Sequence, residues 1–318
     1  MKKRIAVVLI IVGATLLGWS VWSVFKQSAH YRINISSSSE EIIKITEKLQ
    51  LPATSLQAIK IYSSASSNEL ANGVVFKNDG QITPIYWHNE VTEPILFQDI
   101  SADDLSIVLE AIRVHVPDKA LILTWWDLSR AIRLISKKSA PLDDQLARGL
   151  FIPDSLSNNF IGEANRWGAN TPKKLSDMFT QFIDALTSKE PEAFKLLNNI
   201  TYGQPAYIVV HISDVWKIAS MQSDKISMGF KDFPSVSLSH GVIKSAMEWM
   251  RLNKIEGGYA AEPIGGAIRV HYFINKSASE RLIAQLLPFS TSMLSNLKYF
   301  KLVYQFKGYW IYEIASGN

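Results

Sequence analysis

Residues Ile5–Phe25 form a run of 21 positions without a charged side chain. A helix rising 1.5 Å per residue over that length spans roughly 30 Å, the hydrocarbon thickness of a bilayer. Lys2, Lys3 and Arg4 precede the run, and Trp19 and Trp22 stand where the far interface would fall. The positive-inside rule then predicts a cytoplasmic N-terminus and a body exported to the periplasm. The rival reading is a cleaved signal peptide, which has a shorter apolar core and small residues at its cleavage site. Here Trp-Ser-Val-Trp-Ser-Val-Phe follows instead, so residues 1–27 are read as an uncleaved single-pass anchor in the inner membrane.

The remaining chain is long enough to bury a sizeable core. The net charge is +4, and three of those charges belong to the N-terminal basic cluster. The body is therefore close to neutral, which argues against a nucleic-acid surface. There is no cysteine. That excludes disulfides, thiolate metal sites, covalent haem attachment and lipoprotein acylation.

Residues 28–100 read as mainly β. A short strand near residues 30–36 leads to a helix capped by Ser39, with Ile42, Ile43, Ile45 and Leu49 as its apolar face. Ala58–Tyr62 alternates like a strand, and Asn78-Asp79-Gly80 marks a hairpin between two strand-like runs. From residue 101 to 318 the pattern becomes α/β. Ser101 caps a helix whose predicted buried face is Leu105, Ile107, Val108 and Ile112. KALILTWW and AYIVVHI read as apolar strands, each followed by a helix. Residues 140–172 are irregular, which is long for a loop. Helices and strands then alternate to about residue 287, and a hairpin around Lys307-Gly308 closes the chain. This alternation predicts a mostly parallel sheet with flanking helices and an antiparallel edge.

Ligands of open α/β sheets bind beyond the carboxyl ends of the strands. Trp125, Trp126 and Asp127 fall at such an end. Indoles there could stack on a partner, and Asp127 could accept a hydrogen bond. The alternative is that one indole fills the core and Asp127 caps the next helix. Adjacent side chains on a strand point to opposite faces, so one of the two needs another explanation. Ser129 and Arg130 lie on that helix. Asp214, Trp216 and Lys217 follow the second strand at the same expected edge, where Asp214 could again be a cap and Lys217 a solvated cation or the partner of a carboxylate. Histidines 30, 88, 115, 211, 240 and 271 show no metal-ligand spacing, and His211 and His271 read as core or edge residues. No zinc-protease, phosphate-loop or nucleophile-elbow motif is present, and nothing signals a cofactor.

The stretch LILTWWDLSRAIRLISKKSAPLD resembles the WWD strand and helix in the soluble domain of STT3-type oligosaccharyltransferases. In those enzymes the WWD motif recognises the hydroxyl side chain of the acceptor. Leu128-Ser129 stands where that family usually has Tyr-Gly, and the family's catalytic acids lie in a many-spanning membrane domain that one span cannot replace. A longer resemblance is to the HaoB family of hydroxylamine oxidation proteins in nitrifiers. It is carried by the anchor, ALILTWWDLSRAIRLIS, YIVVHISDVWKI, KDFPS, VHYFIN and LVYQFKGYWIYEI. It implies association with periplasmic hydroxylamine oxidation, beside the hydroxylamine oxidoreductase and without haem of its own, and the WWD motif kept without catalytic machinery then reads as a non-catalytic accessory module. The expected peptide- or protein-binding residues are Trp125, Trp126, Asp127, Ser129, Arg130, Asp214, Trp216 and Lys217. An alternative is an enzyme acting on a small polar or glycan substrate at the same edge.

Overall fold

The computed structural model describes residues 31–63, 68–78, 81–90, 99, 101–143, 173–235, 238–264, 266–292 and 297–316. The predicted anchor, the Asp79-Gly80 turn and residues 144–172 of the irregular stretch lie outside them. Among the described residues no helix is long and apolar enough to cross a membrane.

The first sheet is the expected β region. Strands β1 (Tyr31–Ser36), β2 (Leu56–Ser63), β3 (Glu69–Asn78) and β4 (Gln81–Asn89) form an antiparallel meander in that order. Helix α1 (Glu40–Leu49) is capped by Ser39, whose hydroxyl accepts from the Ile42 N–H at 3.2 Å. It buries Ile42, Ile45 and Leu49, whereas Ile43 is 61% exposed. At 100° per residue Ile43 lies a quarter-turn off the face its neighbours share. Helix α2 (Ala102–His115) has Ser101 as its cap. It buries Leu105, Val108 and Ile112 and leaves Ile107 42% exposed, because two residues is more than half a turn.

The second sheet holds the site. Its strands are β5 (Leu121–Leu123), β6 (Ala206–His211), β10 (Phe300–Phe306) and β11 (Tyr309–Ile314), in the order β10-β11-β6-β5. Between β5 and β6 run α3 (Trp126–Ala131), a π turn at Ile132–Ser136, α4 (Lys173–Leu186) and α5 (Glu190–Thr201). Helix α6 (Asp214–Met221) follows β6.

The third sheet is β7 (Met228–Pro234), β8 (Tyr259–Ile264) and β9 (Ala267–Phe273), in the order β7-β9-β8. Helix α7 (His240–Leu252) shares a small apolar cluster with one face of it, built on Ala246, Ile268 and Val270. Helices α8 (Lys276–Ser279) and α9 (Leu282–Leu286) lead back to the second sheet.

The expectation of a mostly parallel sheet is corrected. Among the described residues β5 and β6 form the one parallel ladder, beside an isolated parallel bridge between Leu121 and Ser139, and every other ladder is antiparallel. Alternation of helix and strand along the chain reads like repeated crossovers. Here β7, β8 and β9 leave to make a sheet of their own, and β11 returns beside β6 from the closing hairpin.

Candidate functional site

β5 is three residues long, not eight, because the chain turns at Thr124 and Trp125 and α3 starts at Trp126. Trp125 and Trp126 therefore do not sit on opposite faces of one strand. One leaves the strand and the other opens the helix, and both are buried, at 2% and 1% exposure. Trp125 packs edge-on against Phe179 of α4 with ring centroids 5.3 Å apart. Trp126 lies under the Arg130 guanidinium, 4.7 Å from the ring centre. The expectation of indoles displayed for stacking is thus corrected: both rings are packed in the interior. Ser129 is also buried and donates to the Thr124 carbonyl at 3.4 Å, across the strand-to-helix turn.

Parallel pairing sets the carboxyl ends of β5 and β6 side by side, with α3 and α6 starting from the two ends. Four of the predicted residues meet there, Trp125, Asp127, Asp214 and Lys217. Lys217 Nζ donates to Asp214 Oδ1 at 2.9 Å and to Asp127 Oδ2 at 3.5 Å. Their exposures are 2%, 4% and 5% respectively for Lys217, Asp214 and Asp127. Neither aspartate is a helix N-cap. Asp127 lies inside α3 and its Oδ1 accepts from the Leu128 N–H at 2.8 Å. Asp214 turns back, and its Oδ2 accepts from the His211 N–H at 2.8 Å. Each acid thus fastens a backbone amide with one oxygen and the ammonium with the other.

Burial works against a charged Lys217. The attraction of Asp127 and Asp214, with their hydrogen bonds, outweighs that cost and holds the ammonium above the ordinary lysine range. Lys217 Nζ also lies 5.1 Å from the centre of the Trp125 ring. The reading of Lys217 as a solvated surface cation is excluded by this geometry.

Sequence reasoning missed His211. This half-buried imidazole lines the same space, and burial followed by repulsion from Lys217 pushes its pKa down to about 4. Its Nδ1 accepts from the Ser213 N–H at 3.1 Å, which suits a neutral ring. The signal available was its place at the end of a strand, three residues before Asp214. Thr124, Leu128 and Tyr309 also line the space, with Pro84 and Leu105 from the first sheet and α2. Together these residues leave about 10 Å³ free, room for roughly one water molecule.

Arg130, Trp126 and Ser129 are buried but do not line this cavity. Trp216 faces away, toward the third sheet, where its Nε1 donates to His271 Nδ1 at 3.0 Å. Among the described residues no group of His, Asp and Glu is arranged to hold a metal ion.

Fold and cluster define a mixed α/β protein with three sheets among the described residues and a buried carboxylate–ammonium–carboxylate centre at the ends of the parallel pair β5 and β6. The chain belongs to the HaoB family, described as HaoA-associated protein HaoB, which it matches over residues 1–314. No curated protein matches it. Among solved structures it is similar to the C-terminal domain of PglB from C. jejuni, at 12% identity and a TM-score of 0.39, covering 65% of this chain and 98% of that one. It is also similar to the C-terminal globular domain of the oligosaccharyltransferase AglB from Archaeoglobus fulgidus. There the identity is 12% and the TM-score 0.34, covering 68% of this chain and 99% of that one.

Proposed function

We propose that this chain is an accessory protein of hydroxylamine oxidation, anchored in the inner membrane by Ile5–Phe25, whose periplasmic body binds the hydroxylamine oxidoreductase or its precursor. The observation that carries the reading is the family match along residues 1–314, for a family described as HaoA-associated. The chemistry of the centre favours binding over catalysis. A lysine held cationic by two carboxylates is a poor general base and a poor nucleophile. This counts against the alternative of an enzyme acting on a small polar or glycan substrate.

The partner would meet the mouth of the cavity, not the indoles. About 10 Å³ admits no side chain, whereas Leu128 and His211 are the half-buried members of the lining and reach the surface. The buried ion cluster then acts as the rigid floor that fixes these two residues.

The test is affinity capture of the full chain from detergent-solubilised membranes, with haem absorbance as the readout. Recovery of a multihaem oxidoreductase with the unaltered chain, and several-fold less with Leu128→Glu at unchanged thermal stability, is the expected result. Capture without any haem protein would overturn the partner. Equal capture by Leu128→Glu would overturn the surface.

A further inference from the structure

The inner face of the third sheet carries a second polar chain of contacts, independent of the partner reading. Residues alternate across a strand, so Arg269, His271 and Phe273 of β9 share one face. Cross-strand pairing adds Asp232 and Phe230 from β7 and Glu262 and Ala260 from β8. Trp216 of α6 lies over this face. Its ring meets Phe230 edge-on at 6.0 Å and His271 at 5.7 Å.

The hydrogen bonds fix the state of His271. An indole N–H can only donate. Trp216 Nε1 donates to His271 Nδ1 at 3.0 Å, so that nitrogen carries no proton. The other nitrogen, Nε2, stands 2.7 Å from Glu262 Oε1, which as a carboxylate must accept, so the proton is there. His271 is 4% exposed, and both of its nitrogens are engaged.

We infer that His271 is an acid-sensitive latch between the third sheet and α6. A second proton can enter only at Nδ1, which would set two donors face to face at the distance of the present hydrogen bond. The imidazolium would keep Glu262 and release Trp216. The charged groups around it act in both directions, and the acids are the closer partners of the ring. Glu262 of β8 favours the added proton. Arg269 of β9 opposes it, but is engaged bidentately by Asp232 of β7, with both contacts at 2.8 Å. Asp232 itself attracts a charged His271. From the side of the body, Asp99 repels the charge of Glu262, and His211 faces it as a neutral ring. Lys217 and Asp214 neighbour Trp216 on α6 and are held to each other.

The consequence reaches the candidate site, because α6 carries Trp216 beside Lys217. In the neutral state the indole ties α6 to the sheet. In the acid state that tie is gone, and the start of α6 is held by the Asp127–Lys217–Asp214 cluster and its apolar packing.

The test uses the full chain in nanodiscs with its tryptophan indoles labelled with nitrogen-15, the Trp216 signal being identified by its loss in Trp216→Phe. As the solution is acidified, the Trp216 N–H resonance is expected to move and its corrected solvent exchange to rise by about tenfold. In His271→Gln the side-chain amide offers the same acceptor and donor without titrating, and the signal is expected to stay fixed. A Trp216 resonance that ignores pH in the unaltered chain would overturn the latch. So would an equal titration in His271→Gln.

Discussion

Lys217 stands 2.9 Å from Asp214, one turn before it on the same helix, and 3.5 Å from Asp127 on the neighbouring one. The closer acid is also the more fully used, since its second oxygen holds the His211 amide. Removing the cation leaves two buried carboxylates facing each other. Lys217→Met is therefore expected to cost about 3–5 kcal/mol, the usual penalty for breaking a buried pair from one side. Asp214→Asn should cost more than Asp127→Asn, because it disturbs two short contacts instead of one short and one long. Urea unfolding of the three purified variants in detergent gives the order. The pH sign follows from Lys217, which is raised on folding. Its contribution is present throughout the neutral range and disappears only as pH rises above the ordinary lysine value of about 10.4.

His211 gives the opposite kind of dependence. Its folded pKa is down at about 4, against an ordinary 6.5. Between those two values the unfolded chain takes up a proton that the folded chain refuses, so stability falls as pH drops from 6.5 toward 4. The ring is half-buried, and solvent screens part of the effect, leaving on the order of 2 kcal/mol. His211→Gln should flatten that portion of the stability profile. Thermal melts of both chains across this window check it, and an unchanged difference between them at all pH values would defeat the assignment.

Much of this site is legible in the amino-acid sequence. Strand ends followed by acids placed Asp127 and Asp214 at one sheet edge, and β5 and β6 do pair in parallel there. Three things were hidden. The first was the length of β5: apolar character continues through Trp125 and Trp126, and nothing in hydropathy separates a strand from the buried start of a helix. The second was Lys217, whose position does not reveal whether its stem carries the ammonium outward or between two acids. The third was sheet membership. Pairing of β11 with β6, and of β7 with β9, depends on contacts far apart in sequence, which local periodicity does not encode.

Gly308 tests how closely the closing hairpin is fitted to the site. Lys307 and Gly308 both have positive φ, 40° and 83°, as a tight two-residue hairpin turn requires. A Cβ on Gly308 would lie 2.5 Å from His211 Nε2. Gly308→Ala thus combines about 1 kcal/mol of left-handed backbone cost with a collision that displaces the imidazole. The expected loss is about 2 kcal/mol or more. Gly266→Ala, at the same φ of 83° and with nothing within 4 Å of the added Cβ, should cost only the backbone share, about 1 kcal/mol. Comparing the two melts separates backbone strain from the clash.

The proposed anchor makes the last prediction. Ile5–Phe25 has the length of one span, and the only charges before it are Lys2, Lys3 and Arg4. If that asymmetry sets orientation, alkaline phosphatase fused after Asn318 should be active, because it folds only in an oxidising compartment. A green fluorescent protein exported unfolded at the same point should stay dark. Replacing the three basic residues with glutamate removes the cytoplasmic retention signal and should lower phosphatase activity several-fold while leaving the chain in the membrane fraction. A body without cysteine cannot misform disulfides on export, which removes that cause of lost activity in the variant. An active fluorescent fusion with the unaltered N-terminus would place the body in the cytoplasm, and with it would go the proposal of a periplasmic partner.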